Sequence, residues 1–154
     1  MQRITLLCIG KLKENYAKDA CAFYGERLSH ALKFEIIELP ASKEKDPERQ
    51  KADESKRLID AAKKADGELW ILDERGKAMT SPAFAKELEK AKNAGGSMTF
   101  ILGGAYGLTD DVRKMTSKSL RLSDMVLPHE LCRVVFLEQL YRATEIMRGS
   151  GYHH

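Results

Sequence analysis

Four short apolar runs that alternate with stretches of helical spacing constrain the fold of this 154-residue chain more than any other feature. The runs cover residues 3–10, 33–39, 68–73 and 97–102. Apolar runs of this length are typical of buried strands, and apolar residues at intervals of three and four are typical of amphipathic helices. Strands that alternate with helices predict an α/β fold with a mainly parallel sheet flanked by helices. The length, and the absence of an internal repeat or linker, predict a single domain over residues 1–154.

Helical spacing and capping residues predict the elements between and after these strands. The predicted helices cover residues 14–31, a segment that starts near Asp46 with Pro47 at its first position, Ser81–Gly95, Asp110–Thr116 and Glu130–Arg148. Ser81 and Thr109 are expected to cap their helices, and Ser119–Leu127 predicts a shorter strand-like piece. The charged tract Ser42–Lys56 is interpreted as a solvated face, with a mobile basic arm that touches an acidic partner as the alternative.

The composition narrows the class of protein. No apolar stretch approaches the roughly 20 residues that a membrane helix needs, and the N-terminal segment lacks the small-residue cleavage site of a signal peptide. Cys8, Cys21 and Cys132 are far apart and form no metal-ligating pair with each other or with histidine. Cys8 and Cys132 lie in apolar patterns and are expected in the core. We therefore predict a cytoplasmic protein with reduced thiols, no metal site and no membrane contact.

The segment Phe100–Leu108, FILGGAYGL, is the first indication of a ligand site. Its apolar run stops at Gly103 and Gly104, and Gly107 follows. A buried strand that ends in a glycine turn is where open α/β sheets hold nucleotide-like ligands. The patterns GxGxxG after the first strand and GxxxxGK[ST] are both absent, so neither a dinucleotide site nor a P-loop is predicted. A plain turn is the alternative interpretation of these glycines.

Two later segments make the pattern specific. The loop Leu120–His129, LRLSDMVLPH, precedes the last predicted helix, and that helix and its tail read LEQLYRATEIMRGSGYHH. Together with ITLLCIGKLKENY, ILDERGK and FILGGAYGL, these segments span nearly the whole chain. In these segments the chain resembles the ribosomal RNA large subunit methyltransferase H family, which belongs to the SPOUT class of methyltransferases.

The resemblance implies an α/β-knot fold with a trefoil knot in its C-terminal half and S-adenosyl-L-methionine as cofactor. It implies cofactor contacts in three loops, at Leu72, Gly103, Leu122, Ser123, Asp124, Met125, Val126 and Leu127. It also implies methylation of N3 of a pseudouridine in 23S rRNA on the assembled ribosome. The expected assembly is a homodimer in which each site is completed by the partner subunit.

Transfer to N3 requires that this nitrogen lose a proton, so a general base is expected, or at least an environment that stabilises the developing anion. Histidine titrates nearest neutral pH, which makes His129, His153 and His154 the candidates. His153 is favoured, because the tail that carries it could fold over the cofactor loop. Tyr152 is expected to stack on the extruded base, and Arg142 to stabilise negative charge or bind a phosphate. A packed helix start for His129, and a disordered or appended tail for the other two, are the alternatives.

The last predicted helix is open to structural interpretations as well. Its apolar side, which serves as core or as subunit interface, comprises Leu137, Leu140, Tyr141 and Met147. Intrahelical salt bridges are a sufficient explanation for Glu138, Arg142 and Glu145. A dimer is expected to assemble a basic surface for RNA phosphates from Arg3, Lys11, Lys13, Arg133 and Arg142.

Two other functions stay open on the sequence alone. The first is a methyltransferase of the same fold that acts on another RNA, such as tRNA. The second is a non-catalytic RNA- or ribosome-binding module that kept the fold and lost the activity.

Overall fold

A five-stranded parallel sheet forms the centre of the structure, a computed structural model that describes residues 1–154. Its strands are β1 (Arg3–Ile9), β2 (Lys33–Leu39), β3 (Glu68–Leu72), β4 (Met98–Leu102) and β5 (Ser119–Leu120). They lie in the order β2-β1-β4-β3-β5, and every neighbouring pair is parallel. The predicted α/β fold with a parallel sheet is confirmed.

Helices cover both faces of this sheet. They are α1 (Asn15–Leu28), α2 (Pro47–Lys63), α3 (Ser81–Asn93), α4 (Asp110–Arg113) and α5 (His129–Arg148). α1, α3 and α5 pack together on one face, whereas α2 and α4 lie on the other. Asp46 accepts a hydrogen bond from the Arg49 N–H at 3.0 Å and Pro47 opens α2, as the sequence predicts.

The core is divided in two by the sheet. Along β1, Ile4, Leu6 and Cys8 belong to the larger cluster beneath α1, α3 and α5, whereas Leu7 and Ile9 belong to the smaller cluster beneath α2 and α4. This alternation explains why the strand is apolar from Leu6 to Ile9: both of its faces are covered there. Burial raises the pKa of the Cys8 thiol to about 11, which keeps this cysteine an inert core residue.

The structure differs from the predicted elements in where several of them end and in two helix caps. The helices predicted over 14–31 and Asp110–Thr116 end at Leu28 and Arg113. The strand expected over Ser119–Leu127 ends at Leu120, because Leu120 pairs with Leu72, the last residue of β3. Beyond it, an isolated bridge joins Arg121 to Ala78. Thr80 rather than Ser81 caps α3, with its hydroxyl accepting from the Ala83 N–H at 3.2 Å. The Thr109 side chain makes no capping bond to α4.

No helix is long and apolar enough to span a bilayer.

Candidate functional site

A cavity of about 390 Å³ opens at the carboxyl ends of β3 and β4. Three loops form most of its wall: the residues after β3, the glycine turn after β4, and the segment that precedes α5. Parallel strands of an α/β sheet place ligands at this edge, because loops that follow neighbouring strands meet there. The ends of the buried strands therefore bring together segments that are far apart in the sequence.

The cavity contains nearly all the residues predicted to hold a cofactor. Those that line it are Leu72, Gly103, Leu122, Ser123, Met125, Val126 and Leu127. Asp124 does not line it: its carboxylate is exposed and lies 2.9 Å from Arg121 Nε. His129 and Cys132 at the start of α5 also line the cavity. Cys132 is half-buried and packs at the margin of the larger core cluster, so the prediction that it is a core residue holds only in part. The structure thus brings the three predicted loops together, and ligand contact at each residue stays a prediction.

The glycine turn owes its shape to two of its glycines. A Cβ atom on Gly103 would lie 2.9 Å from the carbonyl carbon and oxygen of Gly107, closer than real Cβ contacts. Gly107 has φ of 82°, in the left-handed region that favours glycine, and its N–H donates to the Gly104 carbonyl at 3.1 Å. These glycines are required for the turn to close, independently of any ligand.

An ion pair that the sequence interpretation missed forms one side of the cavity. Asp73, the residue after β3, accepts a hydrogen bond from Arg113 Nε at 2.6 Å, and Arg113 Nη1 lies 3.1 Å from Asp110. The bond to Asp73 raises the pKa of Arg113. Asp73 was detectable, since it directly follows a buried strand, but its partner on α4 lies 40 residues away. The pair joins the loop after β3 to α4 and fixes the polar side of the cavity.

The three predicted catalytic residues form a separate cluster around Glu138. Arg142 Nε donates to Glu138 Oε1 at 2.7 Å, and the Tyr152 hydroxyl donates to Glu138 Oε2 at 2.8 Å. Arg142 Nη1 lies 3.3 Å from His153 Nδ1, and its guanidinium lies 4.7 Å from the centroid of the Tyr152 ring. The tail is therefore packed on α5. Sequence reasoning assigned Glu138 only a salt bridge, whereas the structure shows that it orients both neighbours.

This tail cluster lies at the opposite end of α5 from the cavity. Thirteen residues separate His129, which lines the cavity, from Arg142. At 1.5 Å per helical residue the separation is roughly 20 Å. Within one chain, His153 therefore does not fold over the cofactor loop, contrary to the reason for which the sequence favoured it.

One expectation about the charged residues of α5 is wrong, and another is confirmed. Arg133 is 1% exposed and cannot join a basic surface, because its guanidinium pairs with Glu38 at 2.7 Å and donates to the Gly10 carbonyl at 3.1 Å. The expected intrahelical salt bridges are present, because Glu138 pairs with Arg142 at 2.7 Å and Glu145 pairs with Arg148 at 2.7 Å. Of the predicted basic surface, Arg3, Lys11 and Lys13 are exposed.

The Tyr152 phenol is expected to keep its proton to unusually high pH. Burial and the hydrogen bond to Glu138 raise its pKa to about 12. Because the folded-state pKa is raised, the resulting stabilisation is present below the unfolded value of about 10 and is lost as the pH rises through the folded value. The ultraviolet absorbance of tyrosinate, compared between the wild type and Tyr152→Phe, measures this. Tyr106→Phe, which removes an exposed phenol, controls for the loss of one chromophore; a Tyr152 transition near pH 10 would contradict the prediction.

Comparisons with known proteins agree with this architecture. Residues 2–153 match the family model described as predicted SPOUT methyltransferase. The chain is 41% identical over 155 residues to ribosomal RNA large subunit methyltransferase H of Maridesulfovibrio salexigens, with 100% of this chain and 99% of the relative covered. It is 44% identical over 156 residues to the protein of the same name from Nitratidesulfovibrio vulgaris, with both chains covered completely.

Solved structures share the fold at low sequence identity. A probable methylase family protein from Haemophilus influenzae superposes with a TM-score of 0.56 at 14% identity, covering 99% of this chain and 70% of that one. A putative methylase family protein from Neisseria gonorrhoeae gives 0.55 at 13% identity, with 91% and 82% covered. The family match and the full-length relatives lead to one conclusion: the chain belongs to the SPOUT methyltransferase family.

Proposed function

We propose that this protein transfers a methyl group from S-adenosyl-L-methionine to N3 of a pseudouridine in 23S rRNA of the assembled ribosome. The observation that carries the proposal is the cavity formed by three loops in a chain that matches ribosomal RNA large subunit methyltransferase H proteins along its whole length. The trefoil knot, which the same resemblance implies, belongs to this proposal. So do the single-domain organisation and the cytoplasmic location that the length and the cysteines predict.

The residues of the cavity fit such a cofactor. Its volume of about 390 Å³ lies in the range of small-molecule sites, roughly 300–1,000 Å³. Leu72, Leu122 and Leu127 offer apolar walls for an adenine ring, and the glycine turn leaves main chain open beside them. S-adenosyl-L-methionine, when bound there, supplies an electrophilic methyl group. SPOUT methyltransferases generally use this cofactor, and the apolar walls and open main chain of this cavity suit it.

A second copy of the chain would bring the tail cluster to the cavity. His153 and Arg142 lie too far from the cavity of their own chain to act in it. Large apolar side chains at two places on the surface are exposed and available for burial by a partner. Tyr16 and Phe23 on α1 are 52% and 49% exposed, and Met125 and Val126 at the cavity are 79% and 84% exposed. A homodimer that covers these residues completes each site with the partner's tail.

The tail cluster offers the chemistry that N3 methylation needs. Arginine only donates hydrogen bonds, so the contact of Arg142 Nη1 with His153 Nδ1 makes Nδ1 the acceptor and leaves the proton on Nε2. His153 gains a free acceptor for the N3 proton when Arg142 turns from it toward the RNA base. There the guanidinium would stabilise the negative charge that develops on the base, and the Tyr152 ring would stack on it.

Transfer of labelled methyl from S-adenosyl-L-methionine to purified ribosomes tests the function. We expect ribosomes to be labelled, and naked rRNA and tRNA to be labelled much less. Digestion and mass spectrometry of the product should place the methyl group on N3 of a pseudouridine. Label in tRNA alone would support the enzyme that acts on another RNA. No transfer and no cofactor binding would support the non-catalytic module.

A further inference from the structure

Two buried polar side chains of α2 lie against the glycine turn although neither lines the cavity. Glu54 and Ser55 are 2% and 1% exposed, on a helix whose other charged residues reach solvent. Burying a carboxylate or a hydroxyl is unfavourable unless hydrogen bonds replace those to water. The contacts of these two residues show what the burial achieves.

Ser55 and Glu54 hold the two ends of the turn that follows β4. The Ser55 hydroxyl accepts a hydrogen bond from the Thr109 N–H at 3.1 Å, at the end of the turn. Glu54 Oε2 accepts from the Ser42 N–H at 3.0 Å. Its other oxygen, Oε1, is buried without a hydrogen-bond partner and lies against Gly104, at the start of the turn.

Glu54 is also the reason why position 104 needs a glycine. Gly104 does not have a positive φ, so its backbone conformation is open to other residues. A Cβ atom there would overlap Glu54 Oε1 and lie 3.3 Å from Glu54 Cδ, whereas the next atom, Cβ of Ile9, is at an ordinary 3.6 Å. The carboxylate has little freedom to move aside, because it is buried and its other oxygen is bonded to Ser42.

We propose that Glu54 is a positioning residue for the cavity, which it shapes by packing its carboxylate on Gly104. Ser55 complements it by holding Thr109, so that one turn of α2 sets the position of the whole glycine turn. The identity of the ligand as S-adenosyl-L-methionine rests on the proposed function. The packing of Glu54 on Gly104 is independent of that function, so it is also tested in the ligand-free protein.

The test is a mutant cycle on these two positions. Gly104→Ala and Glu54→Ala should each weaken S-adenosyl-L-methionine binding, measured by calorimetry, by about tenfold, because one crowds the turn and the other leaves it unsupported. Combined, they should bind within about threefold of the wild type, since the added methyl group occupies the space left by the carboxylate. Gly104→Ala with Glu54→Gln should stay as weak as Gly104→Ala alone, because glutamine has the same shape as glutamate.

Hydrogen exchange of the turn amides at residues 103–109 gives the second readout, without ligand. Glu54→Ala should speed this exchange, and the matched control Glu89→Ala, which removes an exposed carboxylate from α3, should not. The proposal would be overturned if Gly104→Ala weakened S-adenosyl-L-methionine binding equally in the wild-type and the Glu54→Ala background. It would also be overturned if Glu54→Ala left the hydrogen exchange of the turn amides unchanged. If the wild type binds no S-adenosyl-L-methionine, the proposed function fails. The exchange rates of the turn amides in the four variants of the mutant cycle still decide whether Glu54 positions the turn.

Discussion

Removal of Tyr152–His154 is expected to abolish methyl transfer and to leave cofactor binding intact. The truncation takes away the proposed base, His153, and the ring that stacks on the substrate. Loss of general base catalysis alone lowers rates by about 10²–10⁴-fold. The cavity lies roughly 20 Å away along α5 and contains no atom of the tail. The measurement is transfer of labelled methyl to ribosomes, beside the thermal shift that S-adenosyl-L-methionine produces.

The thermal shift separates this outcome from simple unfolding. A ligand at 100 times its dissociation constant adds about 2.7 kcal/mol, which at roughly 2–4 °C per kcal/mol raises the melting temperature by several degrees. Both the wild type and the truncated chain should show that shift. Among point variants, His153→Ala should lose transfer, and His154→Ala, which changes the exposed last residue, should keep it. Transfer at the wild-type rate by the truncated chain would contradict the assignment of the tail.

The sheet and the cavity loops were predictable because local signals determine them. The apolar runs of β1, β3 and β4 stand out from charged surroundings, and parallel strands leave their carboxyl-end loops at one edge. Gly103 was found for the same reason, since a glycine pair ends the run at β4. The end of β5 at Leu120 was not predictable, because it depends on where the partner strand β3 stops.

Contacts between distant elements account for what the sequence did not show. Arg133 was assigned to the surface, yet its spacing from Phe136, Leu137 and Leu140 puts it on the buried face of α5. That spacing was the available signal. The sequence around Glu54 contains no such signal, because a glutamate in a charged helix is ordinary and Gly104 lies 50 positions further along the chain. The separation of tail and cavity likewise follows from the length of α5, once the cavity is known to lie at its start.

Mixed dimers are expected to show that each active site draws its cavity and its tail from different chains. One substitution is Gly103→Val, which prevents the glycine turn from closing because a Cβ would lie 2.9 Å from the Gly107 carbonyl. The other substitution is His153→Ala. Homodimers of either variant should be inactive. A dimer with one chain of each type contains one site with an intact cavity and an intact tail, so it should recover about half of the wild-type activity.

Placing both substitutions in one chain reverses the expected activity. When Gly103→Val and His153→Ala share a chain and its partner is wild type, every site combines one intact half with one damaged half, and activity should be lost. If each chain instead supplied a complete site, this dimer would keep about half of the activity and the first mixed dimer would have none. Differently tagged chains, co-expressed and purified through both tags, allow methyl transfer to ribosomes to be measured on each mixed dimer. Failure to recover any doubly tagged dimer would contradict the homodimer itself.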